Sequence, residues 1–183
     1  MKKLLLILLC LPMIGFGQNV NIPDVNFKAY LVGNAAINTN GDSEIQVSEA
    51  IVFNGAIDCT NLNISDLTGI EAFTALTDLR CNSNNLTSLD VSANTALTSL
   101  YCIDNQLTSL DVSNNTALMN LGCQNNQLTS LDLRNGNNPY LVYFYCRNNL
   151  LYCIDVDDAA WSASNWVCCY DPQIFFSEDC GVE

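Results

Sequence analysis

Residues 86–106 read LTSLDVSANTALTSLYCIDNQ, and residues 107–127 read LTSLDVSNNTALMNLGCQNNQ. A third copy, LTSLDLRNGNNPYLVYFYCRNNL, fills residues 128–150 and is two residues longer, and residues 67–85 form a degenerate copy upstream. Self-similarity at a fixed short period is typical of solenoids. One such unit cannot bury its apolar side alone, so neighbouring units must stack to complete a continuous core.

The units share the spacing L-x-x-L-x-C-x-x-N-x-L, as in Leu97, Leu100, Cys102, Asn105 and Leu107. This is the leucine-rich-repeat pattern with cysteine at the last apolar strand position, and it extends over about residues 56–156. The alternating x-L-x-C-x segment predicts a short strand, and successive strands should form a parallel sheet on the concave side. The asparagine after each strand is predicted to hydrogen-bond backbone groups inside the solenoid.

The other half of each unit also alternates, as in Leu107, Leu110 and Val112. We therefore predict short extended segments on the convex side, and the expected fold class is an α/β repeat solenoid, a leucine-rich-repeat arc with a small cap at each end. An acidic row beside these segments comprises Asp90, Asp111, Asp132 and Asp155. The favoured interpretation of the row is turn capping or simple solvation, and cation binding is the alternative.

The first residues are typical of a secretory signal. Lys2 and Lys3 precede an apolar block that is too short to span a bilayer, and Gly15 and Gly17 offer the small residues of a cleavage site. Cleavage is expected after Gly17. The predicted organisation is a signal peptide over residues 1–17, an N-terminal cap over 18–55, repeats over 56–156 and a C-terminal cap over 157–183, with no membrane span.

The composition narrows the classes of function. The chain has 19 acidic and six basic residues, a net charge of −13, and no histidine. An acidic surface repels phosphate backbones, so we expect no nucleic-acid partner. Without histidine, neither a Ser-His nor a Cys-His nucleophile can be built. The acidic residues fall in repeat-phased rows rather than in an isolated carboxylate pair, so a non-enzymatic protein is expected.

Both ends of the solenoid are predicted to carry caps. A helix should begin at Pro23 and Asp24 and run through Leu31. Its side chains available for packing are Val25, Phe27 and Tyr30. Asp157 and Asp158 should begin a second short helix, because acidic residues favour a first turn. The bulky residues expected to cover the last coil, in preference to stacking on sugars, are Trp161, Trp166, Phe175 and Phe176.

The segment at 38–49, NTNGDSEIQVSE, fits the spacing of a twelve-residue EF-hand loop. Side-chain oxygens at positions 1, 3, 5 and 12 and a backbone carbonyl at position 7 would surround Ca²⁺. These predicted ligands are Asn38, Asn40, Asp42, Glu49 and, through its carbonyl, Glu44. Asn38 stands in place of Asp and Ser43 in place of Gly, so a structural site of modest affinity is expected. The alternative is a polar turn in which Ser48 or Asp42 caps the next helix.

Nine cysteines follow the predicted cleavage site. One position of the coil recurs at Cys59, Cys81, Cys102, Cys123 and Cys146, and we expect these to be buried, inert thiols. Cys153 and Cys180 bracket the C-terminal segment and are the best disulfide candidates, since export favours oxidation. Cys168 or Cys169 should continue the buried row.

The chain resembles the secreted leucine-rich-repeat proteins of Bacteroidetes, particularly flavobacteria, and is distantly similar to the internalin group. The segments that carry the resemblance, besides the repeats, are IPDVNFKAYL at 22–31, the loop at 38–49, ISDLTGIE at 64–71 and FSEDC at 176–180. The resemblance implies a right-handed arc with a helical N-terminal cap, and a secreted or cell-surface role in binding or adhesion.

Leucine-rich arcs bind through the outward-facing positions of their concave strands. The candidate ligand-binding residues are Arg80, Tyr101, Ile103, Gln124, Tyr143, Tyr145 and Arg147. Tyrosine and arginine are enriched at binding hot spots, so we hypothesise that this strip contacts a protein or glycan partner. The competing interpretation is that exposed strand positions simply tolerate aromatic residues. The alternative function is a structural spacer, or a fragment of a larger surface adhesin, with no ligand of its own.

Overall fold

The computed structural model describes residues 17–166 and 170–181, so the predicted signal up to residue 16 and both Cys168 and Cys169 lie outside the described residues. Among these described residues there are three α-helices: α1 (Val25–Gly33), α2 (Val47–Ala50) and α3 (Ala159–Asn165). The strands are β1 (Ala56–Asp58), β2 (Asp78–Arg80), β3 (Ser99–Tyr101), β4 (Asn120–Gly122), β5 (Tyr143–Tyr145), β6 (Cys153–Asp155) and β7 (Phe175–Ser177). No helix among the described residues is long and apolar enough to cross a membrane.

Strands β1 to β5 form one sheet in which every neighbouring pair is parallel and the spatial order equals the chain order. The register aligns one inward residue from each strand. This row consists of Ile57, Leu79, Leu100, Leu121 and Phe144, none more than 1% exposed. The predicted parallel sheet of a leucine-rich-repeat solenoid is therefore confirmed, with strands of only three residues.

The cysteine after each strand lies in the core. Cys59, Cys81, Cys102, Cys123 and Cys146 are fully buried, as predicted. The thiol of Cys81 donates to the carbonyl of Tyr101 on the next strand (3.5 Å). Burial raises the pKa of Cys102 to about 12, so its thiol stays protonated at neutral pH. A protonated thiol is a poor nucleophile, which supports a packing role for this row.

A buried asparagine closes each coil where the chain leaves the sheet. The side-chain amide of Asn105 donates to the carbonyls of Cys81 (3.0 Å) and Cys102 (3.1 Å), and its Oδ1 accepts from the backbone N–H of Leu86 (3.0 Å). Asn84, Asn126 and Asn149 repeat this arrangement in their own coils. One side chain thus satisfies backbone groups of two adjacent coils, and the predicted interior ladder is confirmed.

A second asparagine ladder lies on the other side of the core and was not predicted. Asn94 and Asn115 are fully buried, and the amide of Asn115 donates to the carbonyls of Val91 (3.1 Å) and Asn94 (2.9 Å). The repeated Asn-Thr-Ala-Leu at 94–97 and 115–118 was the available signal. In the longer repeat, Asn138 occupies a 3-10 turn at Asn138–Tyr140 and accepts from the backbone N–H of Asp157 instead (2.6 Å).

The convex side is extended, as predicted. Isolated parallel bridges join Asp111 to Asp132 and Asp132 to Asp155, and β6 pairs with β7 in the same direction. The acidic row caps turns: Asp90 and Asp111 each accept a hydrogen bond from the backbone N–H two residues later (2.9 Å). Asp132 does the same for Arg134, so turn capping is confirmed for these three residues, whereas Asp155 accepts from the backbone N–H of Cys180 (2.7 Å).

The N-terminal cap is fastened to the first coil by Asp24. Its Oδ1 accepts from the N–H groups of Asn26 and Phe27, so Asp24 is the N-cap residue and α1 begins at Val25. Its Oδ2 accepts from the backbone N–H of Ser65 in the first coil (2.8 Å). Phe27 is fully buried, whereas Val25 is 77% exposed, so the prediction that Val25 packs inward is wrong. Val25 directly follows the N-cap residue and lies on the solvent side of α1.

The C-terminal cap packs aromatic rings on the last coil. The rings of Trp166 and Phe144 are 4.8 Å apart, and Nε1 of Trp166 donates to the carbonyl of Leu141 (3.1 Å). The predicted disulfide between Cys153 and Cys180 is present. Phe175 covers the coil only in part: its ring packs edge-on against Tyr152, with 5.2 Å between the ring centres, but strand alternation turns it outward and it remains 47% exposed.

We predict that Asn105→Ala lowers the free energy of unfolding by at least about 2 kcal/mol, because buried carbonyl and N–H groups of two coils lose their partners. Urea unfolding followed by circular dichroism measures the loss. Asn85→Ala is the matched control, since Asn85 is exposed and only its backbone N–H makes a hydrogen bond, to Ile64. Equal losses in both variants would refute the structural role of Asn105.

Candidate binding face of the sheet

The solvent side of β1 to β5, here called the sheet face, is organised in three rows that cross the strands. The first row is Asp78, Ser99, Asn120 and Tyr143, and the second is Arg80, Tyr101, Gly122 and Tyr145. The third follows the strand ends and comprises Asn82, Ile103, Gln124 and Arg147. All seven candidate binding residues therefore lie together on one face. Their binding role stays a prediction.

Arg80 is held in place on this face. Its Nε and Nη2 donate to the two carboxylate oxygens of Asp78 (3.1 and 2.8 Å), and its guanidinium lies 5.7 Å from the centre of the Tyr101 ring. The hydrogen bond with Asp78 raises the pKa of Arg80. The two hydrogen bonds with Asp78 fix the geometry of the guanidinium, so a ligand would meet an already ordered side chain.

Gly122 sets the shape of the centre of the sheet face. A Cβ built at this position would lie 2.9 Å from Cδ1 of Tyr101 and 3.2 Å from Cδ1 of Ile103. Side chains of β3 and its following loop thus occupy the space above β4. Strand alternation puts Gly122 at an outward position, but this role of its missing side chain was not predicted from the sequence. The available signal was a missing side chain in a row that otherwise holds arginine and tyrosines.

The strands differ in how far their aromatic rings are exposed. Tyr143 and Tyr145 on β5 are 55% and 41% exposed, whereas Tyr101 and Ile103 are half-buried. Gln124 is also half-buried, and its Oε1 accepts no hydrogen bond from the described residues. The exposed aromatic surface therefore concentrates at the C-terminal end of the sheet.

Grooves between coils lie beside the acidic row. One, of about 310 Å³, is lined by Asp66, Thr68, Glu71, Ser88 and Asp90, with apolar residues at its base. A similar groove of about 310 Å³ lies between Asp111, Asp132 and Asp155. Arg134 lies beside the acidic row at this groove, with its guanidinium 2.7 Å from Asp132 and 3.6 Å from Asp155. These carboxylates already cap turns or pair with Arg134.

The loop at 38–49 is closed by its own hydrogen bonds. Oε1 of Glu49 accepts from the N–H and hydroxyl of Thr39 and from the N–H of Asn40, at 2.8 to 3.2 Å. Its Oε2 accepts from the N–H of Gln46 (3.0 Å), which is the N-cap of α2, so neither Ser48 nor Asp42 fills that position. Burial raises the pKa of Glu49, but these hydrogen bonds outweigh burial and hold the pKa below its ordinary value of 4.5.

The other predicted calcium ligands are engaged as well. Asn38, Asn40 and Asp42 each accept a hydrogen bond from a backbone N–H within the loop. Glu44 was predicted to act through its backbone carbonyl, and its carboxylate is free of that role and pairs with Lys28 at 2.6 Å. Among the described residues, no group of three or more His, Cys, Asp or Glu side chains is placed to hold a metal ion. The EF-hand character of this cap is not confirmed, and calcium binding stays a prediction.

Comparison with known proteins agrees with this architecture. Residues 43–149, more than half of the chain, match the family described as the leucine-rich-repeat domain of the endo-β-N-acetylglucosaminidase EndoS. Internalin J of Listeria monocytogenes is 43% identical over 70 residues, which is 38% of this chain and 7% of that protein. The chain thus spans a small part of that relative, and origin from Bacteroidetes stays a prediction.

Solved structures show the same likeness. The functional domain of InlJ from Listeria monocytogenes, which includes a cysteine ladder, superposes with a TM-score of 0.65 at 42% identity, covering 76% of this chain and 31% of that one. The internalin InlF from the same species has a TM-score of 0.60 at 17% identity, covering 90% and 58%, and shows the fold alone. The chain belongs to the EndoS-type leucine-rich-repeat family and is internalin-like.

Proposed function

We propose that this protein is a recognition module, rather than an enzyme, that binds an extracellular protein or glycan through the sheet face. The observation that carries the proposal is the pair of exposed rings of Tyr143 and Tyr145 on β5, on the same sheet face as Arg80, which Asp78 holds three strands away on β2. Tyr and Arg provide most of the energy in many interfaces because they bury large areas and form directed hydrogen bonds.

The fixed geometry of Arg80 favours a binding role of the sheet face over the interpretation that its strands simply tolerate aromatic residues. Arg80 loses little further freedom on contact with a ligand, because Asp78 and the Tyr101 ring already hold it. A spacer with no ligand has no need of exposed rings, which favour non-specific association. Two exposed tyrosines on one strand therefore support a specific partner better than the spacer alternative does.

We also propose that the chain is exported. The positively charged and apolar start of the sequence supports this, and so does the disulfide between Cys153 and Cys180, since such bonds persist in oxidising compartments. Mass spectrometry of the protein secreted by an expressing cell would test the proposal. A mature N-terminus at Gln18 is the expected result, and retention of residues 1–17 would contradict it.

The sheet-face proposal predicts that the combined change Tyr101→Ser, Tyr143→Ser and Tyr145→Ser weakens binding at least about 30-fold, because the main apolar contacts are lost. Residues 18–183 would first be screened on a combined glycan and extracellular-protein array. The dissociation constant for the strongest hit would then be compared between wild type and variant.

Tyr140→Ser is the matched control, because Tyr140 is 64% exposed and lies before β5, outside the sheet face. Binding that survives the triple change, or that is lost equally in the control, would count against the sheet face. No saturable hit on either half of the array, from protein shown to be folded, would favour the spacer alternative.

For the loop at 38–49 we predict that Glu49→Gln lowers the free energy of unfolding by about 1–3 kcal/mol in EDTA, because a charged acceptor of four hydrogen bonds is removed. The pKa of Glu49 is depressed in the folded protein, so its stabilisation is present above pH 4.5 and is lost as pH falls through the lower folded pKa. Urea unfolding at several pH values measures both effects. A wild-type stability that does not fall more steeply than that of Glu49→Gln below pH 4.5 would contradict the assignment.

Calcium binding at this loop is a separate proposal, because the ion would have to replace hydrogen bonds at Glu49. It rests on the spacing of the oxygen-bearing side chains of the loop. A melting temperature that rises with calcium in the wild type, and not in Glu49→Gln, would support a structural Ca²⁺ site. An unchanged melting temperature at millimolar calcium would reject the site.

A further inference from the structure

The C-terminal half of the sheet face carries one charged side chain, Arg147 at its edge, in a strongly acidic protein. The residues of the three rows on β3, β4 and β5, other than Arg147, form what we call the uncharged block. They are Ser99, Tyr101, Ile103, Asn120, Gly122, Gln124, Tyr143 and Tyr145. The chain as a whole has a net charge of −13. Carboxylates elsewhere would repel an anionic ligand, while the block itself offers aromatic carbon and neutral hydrogen-bonding groups.

The size of the sheet face favours a small or narrow ligand. Five strands about 4.8 Å apart, with about five residues of about 3.3 Å along each, make a face of roughly 400 Å². A standard protein–protein interface buries roughly 800 Å² on each partner. The face can therefore hold a chain of a few sugar units across its strands, whereas a protein partner would have to extend well beyond it.

The rings of Tyr101 on β3 and Tyr145 on β5 are placed in a way that suits a linear glycan. The Tyr101 ring lies over Gly122, and the more exposed Tyr145 stands in register with Gly122 on the next strand. Neighbouring strands are separated by about the length of one sugar unit in a linear chain. Sugar rings present C–H faces that pack on aromatic rings, and their hydroxyls need polar partners at the edge.

Polar partners are present at that edge. Nδ2 of Asn120 donates to the hydroxyl of Ser99 (2.9 Å), and both groups belong to the first row beside Tyr143. Ser99 is buried and Asn120 is half-buried, so the amide of Asn120 is the group that a ligand would meet. An amide both donates and accepts hydrogen bonds, which matches the mixed character of sugar hydroxyls. Neither group selects for charge.

We propose that the uncharged block binds a neutral glycan, with one sugar ring on Tyr101 above Gly122 and the next against Tyr145. This inference rests on the proposed function and names its ligand class. Gly122 acts as a positioning residue, because the lack of a side chain there lets the Tyr101 ring lie across β4.

The experiment uses residues 18–183 and immobilised neutral oligosaccharides of the cello-, chito-, manno- and lacto-series, together with sialylated and sulfated counterparts and the extracellular-protein array. Wild type should bind at least one neutral series in preference to its anionic counterparts. Tyr143→Ser with Tyr145→Ser should abolish that binding, and Tyr140→Ser should leave it unchanged.

Gly122→Ala tests the positioning role, because the backbone at Gly122 is not left-handed and alanine is compatible with it. The new Cβ displaces the Tyr101 ring, so affinity for the neutral oligosaccharide should fall about tenfold. In a Tyr101→Ala background the same change should have no further effect. Gly33→Ala is the control, since a Cβ at Gly33 meets nothing within 4 Å.

Each outcome distinguishes the inference from the proposed function. Binding only to anionic glycans, or only to proteins, with loss in the tyrosine variants, would overturn the neutral-glycan inference and leave the sheet face as the binding site. No binding to any probe would overturn both. Independent effects of Gly122→Ala and Tyr101→Ala would refute the positioning role of Gly122.

Discussion

The structure depends on hydrogen bonds to the backbone groups that become buried where the chain leaves the sheet. The chain does so about every 21 residues and turns inside a packed core. An N–H or carbonyl buried there without a partner costs free energy comparable to a lost hydrogen bond. The amide of Asn105 solves this for its own coil and for the coil before it, through contacts with Cys81, Cys102 and Leu86. Because the same solution recurs in each coil, the coils keep one spacing, and three-residue strands suffice to build a regular sheet.

That regularity explains which features could be predicted from the sequence. Strands, buried cysteines and the first asparagine ladder were predictable because each follows from a residue type repeated at one position. The disulfide followed from two cysteines that bracket the C-terminal segment and from the redox argument. Val25 and Phe175 were misplaced because single residues in caps have no periodic context, and their burial depends on contacts that arise only on folding.

In the candidate site, too, the periodic features could be predicted from the sequence and the others could not. The rows of the sheet face follow from strand alternation, so the seven candidate residues could be placed together before the structure was known. The contribution of Gly122 could not, because it comes from an absent side chain and from where the neighbouring Tyr101 ring comes to rest. The loop at 38–49 shows the reverse case: oxygens spaced for a metal are here the acceptors of backbone donors, with Glu49 at the centre.

The reach of each buried amide has a consequence for how such a protein can evolve. Asn105 and Asn126 bond only within their own coil and to the one before, so no contact of the ladder skips a neighbour. A duplication or loss of one whole unit therefore restores every bond at the new junction, and the number of coils can change without redesign of the core. The sheet face of such a solenoid can lengthen or shorten in steps of one strand while the ends remain capped.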